Sequence, residues 1–232
     1  MDQTLDMVGP QIEAIAKDVL DENHRSQQDQ LASLRMLDKK SQRPTYAALL
    51  LFGKDVLGFV PGAYIQYVQY EGPDAAADVR RERRFDGDLL SVLRELSSLA
   101  EELASGRPVA VGPLQEVTVF DYPPVALRET LLNAVIHRDY ESNTPIMVSH
   151  FSDRIEIQNP GGLYGDIRRE DFPGVTAYRN PVLAEAAKTF GFVNRFGRGL
   201  PRTVQAMQKN GSPPPEFLPS DRHFLVTLRK RP

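Results

Sequence analysis

The chain has no cysteine and no tryptophan among its 232 residues. The lack of cysteine excludes disulfides and cysteine-based zinc sites, and it fits a reducing cytoplasm without requiring one. Histidine is sparse: His24, His137, His150 and His223 stand apart, with no close pair on a metal-ligand spacing. No apolar run reaches membrane-spanning length, and the acidic, polar N-terminus is unlike a signal peptide, so no membrane partner is expected. Neither sign of charge dominates. Against 28 Lys and Arg stand 31 Asp and Glu, a net charge of −3, so attraction of nucleic acid to the whole surface is not expected and only a local basic patch could act. The Walker A pattern Gly-x-x-x-x-Gly-Lys-Ser/Thr is also missing, which excludes a P-loop helicase.

What is present is ordinary in proportion: 41% apolar and 25% charged residues, enough to bury one large core or two small ones. Residues 1–40 carry helical spacing at Ile12, Ile15, Ala16 and Val19, and again at Leu31, Leu34 and Leu37, separated by the polar loop "DENHRSQQDQ". "TYAALLLFG" (45–53) reads as a short buried strand, and "AYIQYVQYEG" (63–72) as a strand rich in aromatic and β-branched residues. "DAAADVRRERRFDGD" reads as a charged surface connection. Leu89, Leu93, Leu96, Ala100 and Leu103 predict an amphipathic helix that "SGRP" stops.

Beyond a boundary expected near residue 112, prolines lead into a helix over 125–137. "PIMVSHF" and "RIEIQN", separated by Ser152 and Asp153, predict an antiparallel hairpin. "NPVLAEAAKTFGF" predicts a helix, "RFGRGLPRTVQAMQKNG" a glycine loop followed by a helix, "SPPPEF" a linker and "HFLVTLRKR" a last strand.

One stretch, "LRETLLNAVIHRDY" (127–140), sets polar groups inside an apolar helix. Glu129 and Asn133 lie one turn apart and share a face. A carboxylate there can orient or deprotonate water, and an amide oxygen can hold Mg²⁺ beside phosphates. The plain alternative is a solvated stripe, with Leu131, Leu132, Val135 and Ile136 covering the core side. "NPGG" after a strand and "GRG" before a helix are each ordinary turn sequences. In this order they also suit a phosphate cradle, because free N–H groups at a helix start attract anions.

With those residues in place, 113–232 resembles the GHKL type of ATP-binding module found in gyrase, MutL, heat-shock chaperones and sensor histidine kinases. More closely, "LRETLLNAVIHRDY", "DRIEIQNPGGL", "RNPVLAEAAKTFGFVNRFGRGLPR" and "FLVTLRK" resemble the C-terminal region of bacterial Schlafen/AlbA-type transcriptional regulators, often labelled RecG-like. "RPTYAALLLFGK", "FVPGAYIQYVQYEG" and "RRFDGDLLSVL" extend the resemblance to about residues 30–232. The resemblance implies an α+β chain in which a helix-and-strand accessory region (1–112) precedes an ATP-binding domain (113–232). That domain would be an α/β sandwich with helices on one face of a mixed sheet. It implies ATP and Mg²⁺ as ligands, with Glu129 as the catalytic carboxylate that activates water and Asn133 as the metal ligand. Asn159, Gly161 and Gly162 stand where the family's first glycine box stands, and Gly197, Arg198 and Gly199 where its second does. The family's adenine-reading Asp is replaced here by Asn159, an amide without charge, so discrimination between ATP and GTP is expected to be weak. The family's second spaced glycine in that box is missing.

The regulators so resembled also carry an N-terminal AlbA-type DNA-binding domain outside the matched span. DNA is therefore an expected partner through such a separate or missing domain, and a homo-oligomer is compatible. Two other readings compete: a scaffold with a relic nucleotide site, and direct DNA binding through Arg80–Arg84 and Arg229–Arg231. The tetrad His137-Arg138-Asp139-Tyr140 allows two roles, with Arg138 facing phosphate or with the tetrad capping the helix and pinning the next hairpin. "HRDYESN" is not a kinase catalytic loop, since only three residues separate Asp139 from Asn143.

Overall fold

A computed structural model of the chain describes residues 26–165, 167, 177–193 and 199–232. The helical spacing expected around Ile12 to Val19 lies outside the described residues. The architecture is α+β: a six-stranded mixed sheet with helices packed on it, compatible with an α/β sandwich of the GHKL type.

The described chain begins with helix α1 (Gln27–Ser33), which the Ser26 side chain caps by accepting from Asp29 N. The expected loop thus gives way to helix at Gln27, and Leu37 falls in a two-residue strand, β1 (Leu37–Asp38), paired with β2 (Arg43–Pro44). "TYAALLLFG" is not a strand. It forms helix α2 (Tyr46–Phe52), capped by the Thr45 side chain, which accepts from Ala48 N at 3.2 Å. The stretch has no β-branched residue between cap and Gly53, and Ala and Leu favour helix. A single turn, α3 (Val56–Phe59), follows.

Strand β3 (Ile65–Tyr70) pairs with β4 (Val79–Phe85) on one side and, in parallel, with β7 (Ile146–His150) on the other. The charged stretch "VRRERRF" is therefore an edge strand and not a loop. Its period of two sorts the charges. Arg81 and Arg83 reach Glu102 and Glu95 of helix α4 (Leu89–Leu103), while Glu82 accepts from Gln66 and Arg84 pairs with Asp86. Charge on an outer strand is a standard guard against edge-to-edge association.

A two-stranded hairpin, β5 (Gly106–Gly112) with β6 (Gln115–Phe120), was not foreseen; it stands outside the main sheet. Its root is held by Asn210, whose side chain accepts from Phe120 N and donates to Phe120 O. Helix α5 (Pro124–His137) then leads to β7 and β8 (Arg154–Pro160), the expected antiparallel hairpin, with His150 opposite Ile155. Helices α6 (Pro181–Thr189) and α7 (Gly199–Asn210) follow. Strands β9 (Glu216–Pro219) and β10 (His223–Arg229) complete the sheet in the order β4-β3-β7-β8-β10-β9. The sheet draws strands from both sides of position 112, so the boundary expected there does not separate two sheets.

Alternation decides which face is covered. Ile65, Tyr67, Ile146, Val148, Ile155, Ile157, Val226 and Leu228 all join the buried core, beneath α4 and α5. Their neighbours Gln66, Met147, Glu156 and Gln158 are more accessible.

Arg138 resolves the tetrad in favour of pinning. It is 1% exposed, and its guanidinium donates to the carbonyls of Asp139, Gly62, Ser142 and Thr144 at 2.6–2.8 Å, beneath the Tyr140 ring. It thus ties the end of α5 to the turn before β3 and the turn before β7. Arg138→Met is expected to lower stability by roughly 3–5 kcal/mol, because it leaves several buried carbonyls unpaired. Arg138→Lys cannot reproduce the fork and should recover only part of the loss. Urea unfolding of the three proteins measures both.

Candidate functional site

The C-terminal half of α5, the end of β8 and the start of α7 enclose a cavity of about 130 Å³, many times the space one water needs. Asn133, Asn159, Gly161, Gly162 and Gly199 all line it, joined by Thr130, His137, Tyr164 and Tyr178. Asn133 and Asn159, which lie 66 and 40 positions before Gly199 in sequence, are thus brought to one place with it. Gly197 and Arg198 lie outside the described residues.

Asn133 faces inward from α5, and Gly199 opens α7 directly against it. A β-carbon on Gly199 would stand 2.7 Å from Asn133 Nδ2 and 3.3 Å from Glu129 Oε2. A side chain at 199 would therefore displace the Asn133 amide, and glycine leaves that amide where it lies. Below this contact Thr203 is fully buried and its hydroxyl donates to Gly199 O at 3.0 Å, fixing the first turn of α7.

Glu129 is not among the cavity's lining residues. It lies one turn back along α5, 8% exposed, and its Oε1 takes an ion pair from Arg202 of α7 at 2.7 Å and another from Arg128 at 3.2 Å. Both arginines hold the carboxylate by the same oxygen. Arg202 escaped the sequence reading, although its signal was present: three residues after Gly199, it had to share the face of α7 that meets α5.

Asn159, at the end of β8, is 5% exposed, and its Oδ1 has no hydrogen-bond partner. Gly161 follows with φ +102°, which turns the chain away from the sheet, and its N–H donates to Arg222 O. Gly162 passes so close to Ser220 O that no β-carbon fits, so its first duty is packing against the β9–β10 turn. Arg179, also missed from sequence, braces this segment. It donates to Gly162 O at 3.2 Å, lies 3.7 Å from Asp139 and sits 4.9 Å over the Tyr164 ring. Asn180 closes α5 by donating to the carbonyls of Ile136 and Arg138.

His137 stacks on Tyr178, with ring centroids 5.5 Å apart. Burial, then the positive charge of Arg179, push its imidazole down to about 4 from an ordinary 6.5. The ring is therefore neutral at physiological pH and offers the cavity a flat, uncharged wall. His150, at the far end of the sheet, is also lowered, first by burial and then by Lys230. The unfolded chain takes up a proton at His137 below about pH 6.5, but the folded chain does so only near pH 4. Folded stability must therefore fall as pH drops through this window, by about 3 kcal/mol from His137 alone. His137→Phe keeps the stack and should flatten that part of the slope in urea unfolding measured from pH 7 to pH 4.

Among the described residues, no group of three or more His, Asp or Glu could hold a metal by themselves. No helix among them is long and apolar enough to cross a membrane. No curated protein matches the chain. The solved structure of the DIP2311 protein from Corynebacterium diphtheriae is similar over 100% of this chain and 45% of its own, with TM-score 0.72 and 22% identity. This chain thus spans less than half the length of that protein, and the likeness is one of fold. Residues 143–228 match the family model described as "Putative ATP-dependent DNA helicase recG C-terminal", a span that holds Asn159, Gly161, Gly162 and Gly199 but not α5; this part of the chain is similar to a RecG C-terminal-like ATPase region.

Proposed function

We propose that the chain carries a nucleotide-binding module that takes ATP with Mg²⁺ and serves a longer regulator of the Schlafen/AlbA type. The observation that carries this reading is the buried, unpartnered amide oxygen of Asn159, a residue that lines the cavity. An amide oxygen buried to this degree without a partner costs about 1–3 kcal/mol. An exocyclic amino group of a purine would satisfy it, with the neutral His137 and Tyr178 rings and Ile157 as apolar walls. The same amide carries no charge, so selection for adenine over guanine rests on shape and one hydrogen bond.

The phosphates would lie toward the start of α7. There the positive helix end favours anions, and Gly199 presents no side chain. Bound Mg²⁺ would neutralise phosphate charge; Asn133 is the one side chain of this set suited to reach it, through its amide oxygen, with the phosphates as the other donors. Glu129 has its Oε1 already engaged by two arginines. That pairing favours a module that binds nucleotide over one that turns it over rapidly. The arginines of the third reading are largely engaged. Arg81, Arg83 and Arg84 have acidic partners, and Arg229 and Lys230 pair with Glu216, Asp153 and Asp121, which favours the nucleotide reading over direct DNA binding.

Calorimetry with ATP, ADP and GTP, with and without Mg²⁺, tests the reading. Adenine nucleotides should bind, with affinity raised by Mg²⁺ in the wild type and not in Asn133→Ala. Asn159→Leu removes the orphaned oxygen, so it should keep or raise the melting temperature while abolishing binding. A purely structural Asn159 predicts the reverse, loss of stability with nucleotide affinity unchanged, and that result would sink the proposal.

A further inference from the structure

We infer that Arg202 is a triphosphate-reading residue that holds Glu129 until the ligand arrives; the inference rests on the nucleotide reading above. Both arginines that pair with Glu129 contact the same oxygen, Oε1, at 2.7 Å from Arg202 and 3.2 Å from Arg128. The other oxygen, Oε2, faces the Gly199 contact. The carboxylate is thus tethered on one side and aimed at the start of α7 on the other.

Arg202 stands in the first turn of α7, three residues after Gly199, and its side chain is 35% exposed against 10% for Glu129. The buried carboxylate is fixed, and the partly exposed guanidinium is the member of the pair that can move. A guanidinium has five N–H donors in a fork that suits phosphate as well as carboxylate. One nitrogen of Arg202, NH1, is engaged at Glu129. A polyphosphate at the start of α7 therefore finds donors already within a few ångströms.

Charge decides when the guanidinium transfers. A phosphate chain beside Glu129 sets like charges together in a half-buried place, where screening is weak. Arg202 relieves that repulsion best from between the two. The more charge the terminal phosphate carries, the further the guanidinium is drawn from Oε1. Arg128 alone then restrains Glu129, from the next position on the same helix. Arg202 thereby distinguishes triphosphate from diphosphate, and the carboxylate is released in the triphosphate state only. Arg202 acts on Glu129 by position and on the ligand by contact.

The test is the ratio of ATP to ADP affinity, by calorimetry with Mg²⁺, in wild type, Arg202→Gln, Arg202→Lys and Glu129→Gln. Wild type should prefer ATP. Arg202→Gln should weaken ATP by about ten- to hundredfold, the worth of a charge-assisted hydrogen bond, and bring the ratio near one. Arg202→Lys should keep part of the preference. Glu129→Gln releases the guanidinium in advance and removes the repulsion, so it should tighten ATP more than ADP. It keeps the shape of the site and answers the question even where Arg202→Gln folds poorly. A wild type that binds both nucleotides equally overturns the inference, as does a ratio left unchanged by Arg202→Gln or Glu129→Gln; Arg202 is then only a structural anchor. A wild type that binds neither overturns the nucleotide reading itself, and this inference with it.

Discussion

Helix α5 buries charge in its body and just past its end, and the surrounding structure is arranged to meet the cost. Glu129 is 8% exposed and Arg138, one residue beyond the helix, 1%. An ionised group taken out of water loses several kcal/mol of hydration, and only close partners with good geometry offset it. For Arg138 the partners are backbone carbonyls from two separate turns, so the guanidinium fixes where β3 and β7 begin and makes their parallel pairing possible. For Glu129 the partner is Arg202, which fixes α7 along α5. Neither contact is local in sequence: Gly62 lies 76 positions before Arg138, and Arg202 comes from the last helix.

Against this background the orphaned oxygen of Asn159 stands out. The buried hydroxyls of Thr130 and Thr203 find carbonyls within their own helices. The other orphaned atoms among the described residues are the Nε groups of Arg128, Arg138 and Arg179, whose guanidiniums bond elsewhere, and the Tyr122 hydroxyl. Asn159 Oδ1 is the one among them that can only accept. Of these five residues, Asn159 is also the one that lines the cavity. Buried polar groups are ordinarily paired, so a lone acceptor on a residue of the cavity wall calls for a partner.

The β7–β8 hairpin, α4 and α5 were legible because each has a strong period and clear punctuation. Ser152-Asp153 marks the turn, Asp88 caps α4, and Pro123-Pro124 opens α5. The run 45–53 was misread because seven apolar residues carry no period, and the Thr45 cap and the absence of β-branching were the signals that decided it. "VRRERRF" hid a strand because its outward and inward positions are both charged; only the partners on α4, distant in sequence, make the alternation visible. In the site, the residue types on α5, β8 and α7 were readable from motif order. That they meet around one cavity was not, because the meeting depends on the α5–α7 approach at Gly199. The ion pair on Glu129 depends on the same approach: the spacing of Arg202 from Gly199 was readable, its partner on α5 was not.

That ion pair bears on what the site can do at rest. A general base must reach the water it acts on, and the Oε1 of Glu129 is already engaged by two guanidiniums. An unpaired Glu129 in the same place would be ready for chemistry but would burden the folded state with a buried, uncompensated charge. The arrangement avoids the choice by making the partner mobile and the carboxylate fixed. Such a device needs its two halves on different elements, so that one can shift without disturbing the other. Glu129 sits, buried, in the body of α5, while Arg202 sits near the start of α7, partly exposed, where the positive helix end already draws anions. Stability is thus assigned to α5 and responsiveness to the start of α7, and the glycine between them keeps the two close enough to be coupled.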